Sequence, residues 1–443
     1  NQDFHSVISL ADRMVFEAQG TELQGFINQL TNAGRAYVNF SLGKFSAMDE
    51  NISLALSPVS DPLMLGVEEQ IALLRLAAMR HFIVEETEKI EEVLGKAKEL
   101  ATSSKISQSH LMLSSINAMY LFQIGDYRRA YEAASINYTQ YAKRSYVGIF
   151  GPLDSLFVMA RCLLEFARPS EAYEKFVQIR DLAEQWKMWS WHFYADGYLA
   201  RELAVNGQVT ESIENIKSAH QRATQIDFSH QLEDILDMSE VFVRFYVNDL
   251  ERLGVLLERA PKVRIVEQIR ISYDDRMGKK PARDAFTHLP SKTPREKIWK
   301  YLVDASEVID QENLAAKEMK KALEVGALVG AKETFLRQSE EMGNLIIKLA
   351  GENPTVYMED LASAVAERIK RNANGTSEVR SSLTKREIEV LRHLSTDRPI
   401  SAIAGTLHIS INTMKTHLKN LYRKMGVENR TQAVEKAKAN FIL

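Results

Sequence analysis

Apolar residues recur at three- and four-residue spacings along nearly all of the chain before residue 370, and sustained two-residue alternation is absent. Proline is scarce there. The pattern predicts a body built only of amphipathic helices. The segment Arg371 to Ser382, RNANGTSEVRSS, has no apolar face and is rich in Asn, Ser and Thr, so it reads as a flexible linker between two domains. Beyond it the period returns with strong punctuation. Thr384 followed by Glu387 is a capping box, and Leu383, Ile388, Leu391 and Leu394 form one apolar stripe. Pro399 sets up a short second helix around Ile400 to Leu407, with Ile403, Ala404 and Leu407 facing inward. Ser410 caps a third helix that runs to about Met425 and stops at Gly426, and a fourth begins at Asn429 or Arg430.

Within the body one turn-and-helix signature repeats. It is clearest at Gly125 to Ala134, GDYRRAYEAA, where a Gly-Asp turn leads into a helix whose alanines allow close helix approach. Similar segments begin at Gly43, Arg168, Gly207 and Asn248. Gly43 to Gly125 and Gly125 to Gly207 are both 82 residues, so the unit is about 41 residues. The segments resemble tetratricopeptide repeats, and the spacing predicts a helical solenoid over residues 1–370. The repeat near residue 84 looks degenerate, Pro261 to Thr293 looks irregular, and a last helix pair includes Glu312 to Met319.

Charge divides the chain in the same place. The net charge of the whole is −3, but residues 383–443 carry 11 Lys and Arg against 5 Asp and Glu, leaving residues 1–382 at −9. An acidic body with a basic tail is the asymmetry expected when only the tail meets a polyanion. On the third helix of the tail, Met414, Leu418, Leu421 and Met425 share one face. The other face displays Asn412, Lys415, Thr416, Lys419, Asn420 and Arg423, all able to hydrogen-bond phosphates or base edges in the major groove of double-stranded DNA.

These residues carry a family resemblance. Leu383-Thr384-x-Arg386-Glu387-x-Glu389-Val390-Leu391, Ile403-Ala404-x-x-Leu407-x-Ile409-Ser410, Thr413-x-Lys415-x-His417, Lys424 to Val427 and Asn429 to Ala433 look like the LuxR-type (GerE/NarL-type) helix-turn-helix. The resemblance implies that Lys415, Thr416 and Lys419 approach bases and that Ser410, Thr413, Asn420, Arg423 and Arg430 hold phosphates. It also implies that the fourth helix helps to form a homodimer on DNA. Three departures from the family stand out: Asp397-Arg398-Pro399 replaces the usual Gly-x-Ser before the scaffold helix, Ala402 replaces a usual Glu, and Met414 replaces a common valine, an apolar swap. Ala322 to Leu336 is similar to the segment before the DNA-binding domain in MalT-like regulators, which pair a repeat domain with an amino-terminal ATPase. This sequence has no Gly-x-x-x-x-Gly-Lys-Ser/Thr loop, so the ATPase is expected to be absent or truncated; the chain opens on Asn1.

The remaining chemistry is sparse. Trp186, Trp189, Trp191, His192 and Tyr194 gather at a repeat junction and suit either core packing or a groove for a small-molecule or protein effector. No nucleophile, base and orienting residue stand together, and no cofactor or metal site is indicated. Cys162 is the only cysteine and reads as a buried apolar residue in a protein of the bacterial cytoplasm. No apolar run approaches the ~20 residues a membrane span needs. The expected function is sequence-specific transcription regulation through DNA, with RNA polymerase a further partner. The alternative is a protein-binding scaffold whose terminal helices dimerise or dock on polymerase.

Overall fold

In a computed structural model the described residues are 4–58, 64–102, 107–142, 152–205, 208–226, 229–247, 249–260, 264–277, 292–382, 390–391, 393–394, 398–407, 409–425, 427 and 429–439. Every regular element among them is a helix. Helix α1, Phe4–Glu17, precedes six helix pairs. The first three are α2 Gln24–Ser41 with α3 Phe45–Ala55, α4 Val67–Ile83 with α5 Thr87–Thr102, and α6 Ser107–Gln123 with α7 Tyr127–Ala142. The next three are α8 Leu153–Glu165 with α9 Pro169–Gln185, α10 Trp189–Val205 with α11 Val209–Ala223, and α12 Ser229–Tyr246 with α13 Leu250–Arg259.

The same turn closes the first helix of each pair. A backbone N–H reaches back five residues, from Lys44 to Asn39, Glu86 to His81, Asp126 to Leu121, Arg168 to Leu163, Gln208 to Leu203 and Asp249 to Arg244. These bonds recur at steps of 40 to 42 residues, so the 41-residue period is a period of backbone geometry. Such a helix end needs a left-handed residue, and Gly43 and Gly125 supply φ of 73° and 88°. Glu85 and Ala167 hold the same place at 60° and 58°. The repeat that looks degenerate in sequence is therefore complete, with Glu85 standing where a glycine is expected.

The first helices stack on one another: α4 on α6, α6 on α8 and α10 on α12, with each second helix wedged between neighbours. Phenylalanines from the shared turn position tie successive repeats together, Phe82 lying edge-on to Phe122 at 5.5 Å between centroids. Helix α2 also meets α10, where Phe40 lies 6.2 Å from Trp191, so the array curves until its first pair touches its fifth.

The segment expected to be irregular after residue 260 contains a further helix, α14, Arg264–Arg276, packed on α12; residues 278–291 lie outside the described residues. Then come α15 Pro294–Glu307, α16 Glu312–Val329, α17 Glu333–Leu336 and α18 Glu340–Glu352. Thr293 and Glu296 form a capping box at the start of α15. Arg295 at its first turn donates its backbone N–H to Ile124 O at 3.1 Å, docking α15 on the Gly125 turn.

Helix α19 runs Val356–Ser382 and carries the backbone across residues 371–382, where the composition reads as a flexible linker. Extension costs little once a packed turn exists, since each further residue adds one hydrogen bond, and Leu361 and Val365 anchor the start in the core. The carboxy-terminal helices form a separate core described below. No helix of the described residues is long and apolar enough to cross a membrane.

Candidate nucleic-acid interface

Three helices of the tail are α20 Ile400–Thr406, α21 Ile411–Met425 and α22 Arg430–Ala439, preceded by a helical stretch holding Val390, Leu391 and Leu394. The capping box at Thr384 and Glu387 lies outside the described residues, as do Leu383 and Ile388. Leu391, Leu394, Ile403, Ala404, Leu407, Met414, Leu418, Leu421 and Met425 are all buried, and they join Val390, Ala433 and Ala437 in one cluster. Every described residue assigned inward from the sequence is therefore inside.

That cluster fixes which way α21 faces. With Met414, Leu418, Leu421 and Met425 turned to the core, Lys415, Lys419 and Arg423 project to solvent at four-residue spacing, and Asn420 is half-buried beside them. Among the described residues no ion pair engages the three cations, so they are available to an external anion. Asn412 and Thr416 fall on the same helix, but their side chains lie outside the described residues. Ser410 and Thr413 are exposed at its start. Ser410 Oγ accepts the Thr413 N–H at 3.1 Å and lies 2.8 Å from Thr413 Oγ1, so the expected cap is made and both hydroxyls sit where the helix N-terminus favours anions.

Arg430, expected to hold a phosphate, is engaged within the tail by two of its guanidinium nitrogens. Its Nε donates to Leu394 O at 3.0 Å and its Nη1 to Arg398 O at 2.8 Å, bracing α22 against the end of the first helix and the strap before α20. The physical reason is at the strap. Pro399 caps α20 without any side-chain hydrogen bond, and Arg430 ties down the segment that lacks the family's usual cap.

The aromatic cluster of the repeat body lies mostly inside. Trp191, His192 and Tyr194 are buried, with Trp191 4.8 Å from Phe157 and the Tyr194 hydroxyl donating to Ile83 O at 3.0 Å. Trp186 and Trp189 are half-buried, Trp189 against Phe4, Val38 and Leu42. Packing accounts for Trp191, His192 and Tyr194, where α2 and α10 close on each other, while Trp186 and Trp189 keep part of their surface exposed. His192 Nε2 lies 3.5 Å from Asp196, and burial pushes its imidazole below the ordinary histidine range. Cys162 is buried, which pushes its thiol up.

His220, Asp237 and Glu240 place ligand atoms within 4.8 Å of one another, a spacing a cation could use. Arginines already serve those carboxylates: Arg244 Nη2 is 2.9 Å from Glu240 and Arg259 Nη2 2.6 Å from Asp237. The trio reads as an ion-pair network. A different set of charged groups, centred on Arg161 and Arg295, converges inside the body. The sequence gives no sign of it, since those residues are 134 positions apart.

Residues 381–437 match the family described as bacterial regulatory proteins, luxR family (GerE). The tail is thus a LuxR-type helix-turn-helix DNA-binding domain, carried behind a helical-repeat body. Over 58 residues the chain is 52% identical to the probable csgAB operon transcriptional regulatory protein of Salmonella typhimurium, a stretch that is 13% of this chain and 27% of that protein. The CsgBAC operon transcriptional regulatory protein of Escherichia coli matches to the same extent. The response regulator protein VraR of Staphylococcus epidermidis is 28% identical over 120 residues, 27% of this chain and 53% of the relative. The chain thus spans about a quarter to a half of the length of these curated relatives.

Proposed function

We propose that the protein is a bacterial sequence-specific transcription regulator. Its tail, residues 383–443, binds operator DNA, and its repeat body, residues 1–370, responds to an effector. The observation that carries the reading is the α21 surface: Lys415, Lys419 and Arg423 exposed in register on a helix whose opposite face is locked into the core. Such a helix enters the major groove with its cations toward bases and phosphates. Ser410 and Thr413 add phosphate contacts at its start, and Asn420 joins its reading face, as Asn412 and Thr416 are expected to from their positions in the sequence. Two tails on one operator would read two half-sites about one helical turn apart, with α22 contributing to the dimer. The repeat body presents surface enough for RNA polymerase or an effector, and its acidic charge keeps it off the DNA.

The test is fluorescence anisotropy of the full chain on operator fragments selected from genomic DNA, over a series of salt concentrations. Lys419→Ala is expected to weaken binding by about 5- to 150-fold, the equivalent of ~1–3 kcal/mol, and to relax preference at one base pair. Binding without sequence preference, unchanged by Lys419→Ala and Lys415→Ala, would refute the reading.

A further inference from the structure

Inside the repeat body a cavity of about 90 Å3 is walled by Glu85, Arg161, Glu165, Arg201, Arg295 and Arg337. Helices α8 and α10 form one side and α15 and α17 the other. Four guanidinium groups thus meet around a space large enough for several waters or one small ion.

Most of these cations have a counter-charge. Arg201 pairs with Glu202 at 2.6 Å and Glu333 at 3.4 Å, and Arg337, exposed at the mouth, pairs with Glu333 at 3.2 Å. Arg295 does not. It is only 6% exposed, yet its guanidinium donates to the Tyr127 hydroxyl and Gln123 Oε1, each at 3.3 Å, and to Phe122 O at 3.5 Å. All three partners are neutral and distant. Among the described residues no carboxylate stands within ion-pair reach of it.

Arg161 gives a second, independent sign. Its Nη2 donates to Glu85 Oε1 at 2.8 Å, but its Nη1 is buried without any hydrogen-bond partner. Its guanidinium lies 4.5 Å from the centre of the Phe122 ring, and its side chain is only 9% exposed. Glu85 itself stands in the left-handed conformation that Gly43 and Gly125 occupy in other repeats. Glu165, the other carboxylate on the wall, makes no ion pair among the described residues, and burial pushes its carboxyl above the ordinary range. Buried guanidinium hydrogens without acceptors are costly unless something anionic meets them.

We propose that this cavity binds a small multivalent anion through its carboxylate or phosphate oxygens, with Arg161 and Arg295 as its direct partners and Arg337 at its entrance. The bound ion bridges the repeats, through Arg161 and Arg201, to the helices that follow them, through Arg295 and Arg337. It therefore stiffens the joint between the array and the segment leading to the DNA-binding domain. That it acts as the effector rests on the transcription-regulator reading; that it binds does not.

Isothermal titration calorimetry on the full chain tests this with sodium pyrophosphate and sodium citrate as probes. Sodium chloride at matched ionic strength and neutral glycerol are the controls. At least one of the two anions is expected to bind with one-to-one stoichiometry, and which one separates the phosphate from the carboxylate source. Arg295→Gln is expected to weaken binding at least 10-fold. Arg337→Gln, at the exposed mouth where folding is not at stake, is expected to weaken it several-fold, and Glu165→Gln to leave it equal or tighter. Failure of both probes to bind overturns the site, as does binding that persists undiminished in both arginine variants. Operator affinity is measured in parallel with and without the bound anion. An anion that binds but leaves it unchanged removes the effector role alone, whereas loss of sequence preference in DNA binding strikes only the regulator reading.

Discussion

Arg75 and Asp154 form a two-armed ion pair in the interior, Nε to Oδ2 and Nη2 to Oδ1 both at 2.7 Å, with each side chain 1% exposed. It joins α4 to α8 across two repeats, and the Tyr141 ring lies 5.6 Å from the guanidinium carbon. Breaking such a pair strands a buried charge. Asp154→Ala is expected to lower unfolding stability by about 3–5 kcal/mol in urea titrations. The double change Arg75→Met with Asp154→Leu should recover most of that loss, because neither charge then remains to be desolvated. If the double variant were no more stable than the single one, packing rather than charge would govern the site.

A pH-dependent contribution sits at the contact of α11 and α12. Burial pushes the Glu240 carboxyl up, but the His220 imidazole, 3.3 Å away, and Arg244 outweigh it and hold the group at about 2. The ordinary value is 4.5, so the folded state holds this carboxylate ionised more tightly than the unfolded chain does. The stability it contributes is full above about pH 4.5 and is lost as pH falls toward 2. Glu240→Gln is expected to cost about 1.5–3 kcal/mol at pH 7, the worth of hydrogen bonds to a charged group. The difference between variant and parent should shrink as the pH is lowered from 4.5 to 2. A difference that stays constant over that range would show that Glu240 acts only by packing.

How far each feature was legible depends on the range of the forces that make it. The tail was readable nearly in full because local rules decide it: Ser410 caps its own helix, and the 4-3-4 spacing of Met414, Leu418, Leu421 and Met425 fixes the exposed face. The repeat period was readable through Gly43 and Gly125, since a left-handed helix end favours glycine. The repeat whose turn residue is Glu85 was not, because a non-glycine residue holds the left-handed position there, as Ala167 does two repeats on. Trp191 and His192 show the same limit from the other side. Their burial follows from α2 reaching α10, a consequence of accumulated curvature that no window of sequence contains. The helical course of residues 371–382 likewise departs from composition, which registers the missing apolar face but not the packed helix that precedes it. Arg295 and Arg161 converge only once the intervening described helices, α9 to α14, are stacked.

Arg430 separates bracing from reading. Because its guanidinium is engaged by the carbonyls of Leu394 and Arg398, Arg430→Met should lower the melting temperature of the tail. It should also weaken all DNA sequences alike without changing the salt dependence of binding. Lys415→Ala should leave the melting temperature alone and reduce the logarithmic salt slope by about 1, as expected when one phosphate-neutralising cation is removed. Affinity measured between 50 and 200 mM salt, on the order used to resolve such slopes, distinguishes the two. A reduced slope in Arg430→Met would return that residue to the phosphate contacts.

Gly125 couples the repeat turn to the arginine cavity. Its φ of 88° is left-handed, and a β-carbon there would stand 2.7 Å from the backbone nitrogen of Arg295, the group that donates to Ile124 O. Gly125→Ala therefore meets two penalties, the left-handed conformation at about 1–2 kcal/mol and the displacement of α15. Thermal unfolding should fall by at least the first, and pyrophosphate or citrate affinity should fall with it because Arg295 is carried on the displaced turn. Gly95, exposed within α5 with nothing within 4 Å of an added β-carbon, provides the contrast. Gly95→Ala is expected to stabilise by about 0.5–1 kcal/mol through helix propensity alone and to leave anion affinity unchanged. If Gly125→Ala lost stability yet bound the anion as the parent does, α15 would be tolerant of the shift and Arg295 would not be positioned by this turn.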